Sequence, residues 1–246
     1  MRILLIDIET APNTAFVWGI FKENIPLARL IESGYVMCYS AKWLGEDDIY
    51  FDSVNNSDTI DMLQGIHSLM DEADAIVHYN GNKFDIPTLH REFLIAGFNP
   101  PAPSKHIDLY QTVKKNFKFL SNKLDYVAQQ LDLGQKKDTT FELWIGCMNF
   151  DEDSWKKMEE YNIQDVVLLE QVYYKLRPWI KGINHGLYNT TTSLVCPNCG
   201  SNHYHSRGSA VTSTCTYNRY QCQECGHWFR STKNIGPKAG EKFVSV

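Results

Sequence analysis

The amino-acid sequence predicts an α/β fold, a mixed β-sheet flanked by helices, with a small second domain at its C-terminal end. Three observations support this prediction. Strand-like segments dominate the first 80 residues, helical segments follow as far as residue 176, and beyond Gly186 a polar, Thr-rich connector leads into a cysteine-rich stretch. A chain of 246 residues, 43% of them hydrophobic, is long enough for one large domain and one small one.

Segments rich in β-branched and aromatic residues, bounded by polar turns, predict the strands. They are residues 3–9, 34–44, 48–54 and 74–80. Helical spacing predicts helices at 57–73, beginning at Ser57, at 86–96, at 107–117, at 121–132, capped by Ser121, and at 153–176. The predicted domains are an α/β domain at 1–186, a linker at 187–194, a cysteine-rich domain at 195–231 and a C-terminal tail at 232–246.

The net charge of −5 hides an asymmetry between the two ends of the chain. Residues 1–186 hold 18 Lys and Arg against 27 Asp and Glu, which gives −9, while residues 187–246 hold 6 against 2, which gives +4. An acidic large domain is compatible with a site that gathers carboxylates around divalent cations, and equally with a solvated surface.

The N-terminal segment and the number of cysteines indicate the cellular compartment. The apolar run before Asp7 has four residues, too short for a signal-peptide core or a membrane span. Seven cysteines are an odd count without a secretory signal, which argues against a disulfide scaffold. We therefore expect a cytoplasmic protein with reduced thiols and no membrane association.

Three segments carry acidic residues in patterns that point to one metal site. Strand alternation puts Asp7 and Glu9 on one side of the first strand. Asp85 follows an Asn-Gly turn at the mouth of a helix, where a helix cap is the simpler interpretation of that segment alone. Tyr161 and Asp165, four residues apart, share one face of the last helix, although a core tyrosine beside a solvated aspartate is the favoured interpretation of that segment alone.

These segments, "DIET", "YNGNKFDIP" and "YNIQDV", resemble the ExoI, ExoII and ExoIII motifs of the DEDD (DnaQ-like) 3'-5' exonucleases, which have the ribonuclease H-like fold. The resemblance spans roughly residues 1 to 180. With a tyrosine at position 161, the third motif resembles that of the DEDDy branch. This branch includes the proofreading domains of family B DNA polymerases. Glu160 beside it disfavours the branch that uses histidine.

The resemblance implies a role for each of these residues. Phosphodiester hydrolysis needs an activated water and a stabilised leaving oxygen, which two Mg²⁺ or Mn²⁺ ions about 3.5–4 Å apart supply. Asp7 would bridge both ions, Glu9 and Asp165 would complete the ion on the nucleophile side, and Asp85 would hold the other. Tyr161 would orient the attacking water.

Other residues are weaker candidates with structural alternatives. Asp108 is either a further acidic site residue or a solvated start of a helix, and Asn80 either contacts the nucleic acid or makes the turn, the turn being favoured. Phe84 either stacks on a base or packs in the core, with core packing favoured. A basic run could follow a phosphate backbone or be a solvated face; it comprises Lys114, Lys115, Lys118 and Lys123.

The cysteine-rich domain contains two Cys-x-x-Cys-Gly turns, which predict a Cys₄ zinc site. The ligands are Cys196, Cys199, Cys222 and Cys225, and the domain resembles a zinc ribbon whose fold depends on one structural Zn²⁺. Alternative ligands, ranked well below these four, are Cys215, His203, His205 and His227.

Aromatic and basic residues alternate in this domain, as a single-strand-binding surface requires. The aromatics are Tyr204, Tyr217, Tyr220, Trp228 and Phe229, and the arginines are Arg207, Arg219 and Arg230. The alternative is that the aromatics pack the small hairpins. The partner of this surface is either nucleic acid or a replication or repair protein.

The predicted function is a metal-dependent 3'-5' exonuclease acting on single-stranded 3' ends, with DNA the expected substrate ahead of RNA. One alternative is a ribonuclease H-like endonuclease or structure-selective nuclease. An alternative of another class is a catalytically silent recruitment factor that acts through the zinc ribbon.

Overall fold

A computed structural model describes residues 1–134, 139–188 and 194–236. The chain divides into two compact units, Arg2–Tyr174 and Lys175–Val246, the second together with Met1. The four-part domain assignment made from the sequence stays a prediction. Residues 189–193 of its linker and 237–246 of its tail lie outside the described residues.

The larger unit combines short and long strands with six helices in its described residues. Its strands are β1 (Ile3–Thr10), β2 (Thr14–Ala15), β3 (Leu30–Glu32), β4 (Val36–Trp43), β5 (Ile49–Ser53), β6 (Ala75–His78) and β7 (Lys105–Asp108). Its helices are α1 (Thr59–Asp71), α2 (Asp85–Ile95), α3 (Leu109–Asn116), α4 (Leu124–Gln130), α5 (Phe141–Met148) and α6 (Glu152–Leu176), the last of which runs on into the second unit.

Five of these strands form one mixed sheet in the order β5-β4-β1-β6-β7. β1 pairs antiparallel with β4 and parallel with β6, so the sheet changes direction beside its central strand. β4 and β5 are antiparallel, and β6 and β7 are parallel. The predicted mixed sheet flanked by helices is confirmed.

The two faces of the sheet are covered by different helices. The even-numbered residues Ile6 and Ile8 of β1 pack with Met62 of α1 and Leu89 of α2 in one core cluster. On the opposite face, residues of β4, α5 and α6 form a second cluster: Met37, Cys38, Cys147, Trp155, Met158 and Tyr161. The odd-numbered residues of β1 therefore face α6, as strand alternation requires.

Several element boundaries differ from the sequence-based predictions. Residues 107–117 were expected to be one helix, but β7 ends at Asp108 and α3 begins at Leu109, because Asp108 caps the helix by accepting the N–H of Gln111 at 3.2 Å. The α5 helix was not predicted. The cap of α1 is Asp58 rather than Ser57, and α4 begins at Leu124, three residues after Ser121.

A hairpin after β1 exposes large apolar side chains. It is built on β2 and β3, and Trp18 and Phe21 are 89% and 82% exposed. Glu23 fixes its tip, because its carboxylate accepts the N–H groups of Trp18 (3.1 Å) and Gly19 (3.0 Å) and pairs with Arg29. The sequence analysis assigned no element to this segment.

The second unit contains a three-stranded antiparallel sheet. Its strands are β8 (Tyr204–Val211), β9 (Thr216–Cys222) and β10 (Trp228–Asn234), in the order β10-β9-β8. Asn198, within the first cysteine turn, is buried, and its Nδ2 donates to the carbonyl oxygens of Arg177 at 2.6 Å and Ile180 at 3.1 Å. Among the described residues of both units, no helix combines the length and apolarity that a membrane crossing needs.

Candidate functional site

The first strand delivers two carboxylates to the face covered by α6. Asp7 and Glu9 lie opposite Ser40 and Cys38 of β4 and are half-buried. The side chains between and beside them, Ile6 and Ile8, are buried on the other face of the sheet. The predicted arrangement of this strand, with carboxylates on one side and apolar residues on the other, is confirmed.

Asp165 of α6 meets these two carboxylates. One oxygen from each of Asp7, Glu9 and Asp165 lies within 4.8 Å of the other two, and Asp165 is buried. An octahedral Mg²⁺ holds oxygen ligands at about 2.1 Å, so opposite ligands lie roughly 4.2 Å apart. Small side-chain shifts would close the three oxygens on an ion, and oxygen-only donors suit Mg²⁺ or Mn²⁺.

Asp85 lies beside this group but is not within the 4.8 Å cluster. It is the first residue of α2 and is buried, and its carboxylate accepts the backbone N–H of Ile8, between the two acidic residues of β1. Burial raises the pKa of Asp85 to about 6, against the effect of the backbone hydrogen bonds, and the Asp108 charge raises it further. Asp85 is thus not the helix cap that its segment alone favours.

The turn between β6 and α2 explains the sequence around Asp85. Asn80 has a left-handed backbone with φ of 67°, and its N–H donates to Asp108 Oδ1 at 3.1 Å. Gly81 follows, and a Cβ there would lie 2.4 Å from the buried ring of His78. Asn80 makes the turn, as favoured, while its contact with nucleic acid stays a prediction. Asp108 is buried rather than solvated and supports this turn.

Tyr161 is on α6, one helical turn before Asp165, and is 7% exposed. Its ring packs edge-on against Trp144 of α5, with ring centroids 6.0 Å apart. It also borders a groove of about 330 Å³ with Thr139, Leu143, Lys157 and Glu160 among the lining residues. The helical spacing therefore places the phenol and the Asp165 carboxylate on one side of α6.

Asn162 is a site residue that the sequence analysis missed. It is fully buried, and its Nδ2 donates to Asp7 Oδ2 at 2.7 Å. Its Oδ1 faces the Cys38 thiol at 3.9 Å, and burial, together with the charges of Glu9 and Asp7, raises the pKa of that thiol. The contact joins residues 155 positions apart, so no local pattern indicates it.

Phe84 and the lysines of the basic run lie on the surface. Phe84 is 46% exposed, so the favoured packing in the core is wrong: the residue precedes the first turn of α2 and projects outward. The four lysines of the basic run, at positions 114, 115, 118 and 123, are all exposed. Their contact with nucleic acid stays a prediction, as does that of Phe84.

The four predicted zinc cysteines converge in the second unit. Their sulfur atoms lie within 4.8 Å of one another, with Cys196 Sγ 3.7 Å from Cys225 Sγ and Cys199 Sγ 3.6 Å from Cys222 Sγ. Tetrahedral Zn²⁺ with zinc–sulfur bonds of about 2.3 Å separates its sulfurs by roughly 3.8 Å. The thiol set therefore fits one zinc ion.

The glycines of both cysteine turns have a left-handed backbone. Gly200 and Gly226 have φ of 76° and 75°, and their N–H groups donate to the carbonyl oxygens of Cys196 (2.9 Å) and Cys222 (3.2 Å). The two turns are thus built alike.

The alternative ligands are engaged elsewhere. His203 contacts Glu224, His205 contacts Gln223, and His227 Nδ1 lies 2.8 Å from the Pro178 carbonyl oxygen. Cys215 is outside the four-sulfur group.

Comparison with known proteins assigns the chain to a family. A model described as the RNase_H superfamily matches residues 41–177, more than half of the chain. The chain belongs to the RNase_H superfamily. The matched residues include Asp85, Tyr161 and Asp165, while Asp7 and Glu9 precede them. No curated protein matches the chain.

A solved structure shares the superfamily fold. The family B DNA polymerase from the hyperthermophilic archaeon Pyrobaculum calidifontis superposes with a TM-score of 0.53 at 19% identity. The match covers 72% of this chain and 24% of the polymerase chain, so this chain spans about a quarter of that protein's length. At this identity the likeness shows the fold alone. Superfamily membership and the carboxylate cluster together support a metal-dependent nuclease.

Proposed function

We propose that the protein is a 3'-5' exonuclease that removes nucleotides from single-stranded 3' ends, with DNA as its main substrate. The observation that carries this proposal is the meeting of Asp7, Glu9 and Asp165 within 4.8 Å, with Tyr161 one turn earlier on the helix of Asp165. The resemblance of the three motifs to those of the DEDDy exonucleases supports the direction of cleavage.

The carboxylates would hold two divalent ions, Mg²⁺ or Mn²⁺, which supply an activated water and stabilise the leaving 3'-oxygen. In this proposal Asp7, Glu9 and Asp165 would hold the ion that activates the attacking water, and Asp7 and Asp85 would hold the ion that stabilises the leaving oxygen. Asn162 keeps the Asp7 carboxylate in place through its 2.7 Å hydrogen bond. The Tyr161 hydroxyl orients the attacking water, and its ring is fixed by Trp144.

The zinc ion belongs to a different part of the proposal. Four thiolates close the coordination sphere, which leaves no position for a substrate, so the Cys₄ site would be structural. It would hold the two cysteine turns and the strands that follow them in one fold, and would take no part in phosphodiester hydrolysis.

The test uses oligonucleotides labelled at either end. With Mg²⁺, a 5'-labelled single strand should shorten stepwise from its 3' end, and a 3'-labelled strand should release labelled mononucleotide first. Asp7→Asn should abolish both products, whereas Asp48→Asn, a change at an exposed aspartate, should leave them intact. The same strand made of RNA should be degraded more slowly than the DNA strand.

Each other outcome excludes the proposal in a defined way. Internal fragments that depend on Asp7 would indicate a ribonuclease H-like endonuclease. Equal products from wild type and Asp7→Asn would show that the carboxylate cluster is not the active site. Absence of any product with Mg²⁺ and with Mn²⁺ would favour a silent recruitment factor.

A further inference from the structure

The sheet of the second unit separates the aromatic residues of this unit into two groups. Tyr204, Tyr220 and Phe229 pack against one another with ring centroids 5.3 to 5.6 Å apart. Tyr217 and Trp228 do not join that cluster, and each pairs with an arginine instead. The strand register puts these two aromatics on the opposite face from the cluster, because side chains alternate along each strand.

The arginine face has a repeating arrangement. Arg219 of β9 lies directly opposite Arg230 of β10. The Cζ atom of Arg230 is 3.9 Å from the ring centroid of Tyr217, and that of Arg219 is 5.3 Å from the ring centroid of Trp228. Trp228 is 48% exposed, and both arginines are exposed. Two guanidinium groups thus alternate with two aromatic rings across a pair of strands.

The charges on this face are uncompensated within the described residues 194–236. Like charges placed directly opposite on paired strands are unfavourable. Arg219 donates to the Arg207 carbonyl oxygen at 3.0 Å, and Arg230 donates to the Ser231 carbonyl oxygen at 3.1 Å and to the Tyr217 side chain. The strands β8, β9 and β10 contain no aspartate or glutamate. An anion between the arginines would relieve their repulsion.

We infer that this face, formed by Tyr217, Arg219, Trp228 and Arg230, binds single-stranded nucleic acid, with the arginines on phosphates and the aromatic rings stacked on unpaired bases. Stacking on exposed rings requires bases that are not paired, which favours a single strand over a duplex. An arginine that lies over a ring can also present its free side to a base. The inference deepens the proposed function, because the bound strand would be the substrate.

The test measures binding without cleavage. The full-length chain in the Asp7→Asn background, without added divalent ions, is titrated into fluorescein-labelled dT20 while anisotropy is followed at several salt concentrations. Arg219→Gln with Arg230→Gln should weaken binding at least tenfold and should reduce the salt slope by about 1.4, since each phosphate contact on a single strand contributes about 0.7. Trp228→Leu should weaken binding about tenfold and leave the salt slope unchanged.

A matched control removes the same charge elsewhere. Lys175→Gln with Lys181→Gln changes two exposed lysines outside the sheet and should alter binding less than twofold. Zinc content and near-ultraviolet circular dichroism check that each variant is folded. If the glutamine pair does not fold, Arg219→Lys with Arg230→Lys keeps both charges and should retain the salt slope while losing affinity, because lysine lacks the planar stacking group.

Two results would overturn the inference. One is that the arginine pair variant binds dT20 as the lysine control does. The other is that polyglutamate of equal length displaces dT20 at equal concentration, which would assign the face to an acidic protein surface. This outcome can be told apart from a failure of the proposed function. A chain that binds dT20 through this face but never cleaves would overturn only the exonuclease proposal. A chain that cleaves, and whose variants bind as the wild type does, would overturn only this inference.

Discussion

The two candidate metal centres of this chain are assembled in opposite ways. The thiol centre takes its ligands from two windows of four residues, each a turn closed by a glycine with positive φ. The carboxylate centre joins Asp7 and Glu9 of a central strand with Asp165 of a helix more than 150 positions later. The thiol centre is formed by two local turns, whereas the carboxylate centre forms only because the sheet and α6 pack together.

This difference predicts different responses to loss of the metal. A small unit with few buried aliphatic residues depends on zinc for its folding free energy, whereas the larger unit has two extensive apolar clusters, one on each side of its sheet. Removal of divalent ions from the carboxylates should therefore leave the fold unchanged, at the cost only of the repulsion between the clustered carboxylates.

The largest expected effect is that of breaking the thiol centre. Cys222→Ser should unfold the second unit, because structural zinc in small domains supplies about 10 kcal/mol or more. Zinc content measured with a chromogenic chelator should fall to near zero, and limited proteolysis should cut within 195–236 while the larger unit stays intact. Cys215→Ser, a change outside the four-sulfur group, should retain both zinc and resistance to proteolysis. Loss of zinc without loss of protease resistance would contradict the argument.

The next largest effect is expected from a substitution that disables the carboxylate centre without unfolding the larger unit. Asp165→Asn should lower nuclease activity about 10³-fold or more, roughly 4 kcal/mol of transition-state stabilisation. In the absence of divalent ions its melting temperature should stay equal or rise by a few degrees, because one of three clustered carboxylates is neutralised. A melting temperature lowered by 5 °C or more would show that Asp165 is mainly a structural residue.

Sequence patterns predicted those parts of the site that depend on local geometry. The side of β1 that carries Asp7 and Glu9 follows from strand alternation, and the pairing of Tyr161 with Asp165 follows from the helical repeat. Both cysteine turns follow from the Cys-x-x-Cys-Gly spacing. Each of these statements needs only the residues within a few positions of one another.

The parts that were missed depend on contacts between distant segments. The helix predicted at 107–117 began two residues too early, because parallel pairing with β6 makes residues up to Asp108 extended. Asn162 gave no signal because its partner Asp7 is 155 positions away. Phe84 was expected in the core from its side chain alone, but the turn before α2 turns it outward.

A smaller effect is expected at Asn162, which tests how the fold positions the Asp7 carboxylate. Asn162→Ala removes the donor to Asp7 and should lower kcat about tenfold, since a hydrogen bond to a charged group contributes about 1.5–3 kcal/mol. The Mg²⁺ concentration for half-maximal rate should rise while KM for the strand stays constant, which identifies a positioning residue. Asn56→Ala, an exposed change, is the control. An unchanged Mg²⁺ requirement would argue against this role.

The smallest predicted effect concerns the buried histidine beneath the turn that carries Asp85. The His78 ring is 0% exposed, its Nδ1 accepts the Gly81 N–H at 3.0 Å, and burial, aided by the His106 ring, lowers its pKa to about 3. The unfolded chain has the ordinary pKa of about 6.5, so below that pH the unfolded state binds a proton that the folded state does not. The contribution to stability is therefore fully present above pH 6.5 and is lost progressively as the pH falls toward 3.

At pH 5.5 this contribution lowers the free energy of unfolding by about 1.4 kcal/mol relative to pH 8. Urea unfolding followed by tryptophan fluorescence at both values should show the loss in wild type. His78→Asn should be less stable at both pH values but should lose about 1.4 kcal/mol less between them, because asparagine takes up no proton. Equal pH dependence in the two proteins would mean that the ring is protonated in the folded state, and that the turn holding Asp85 is open to water.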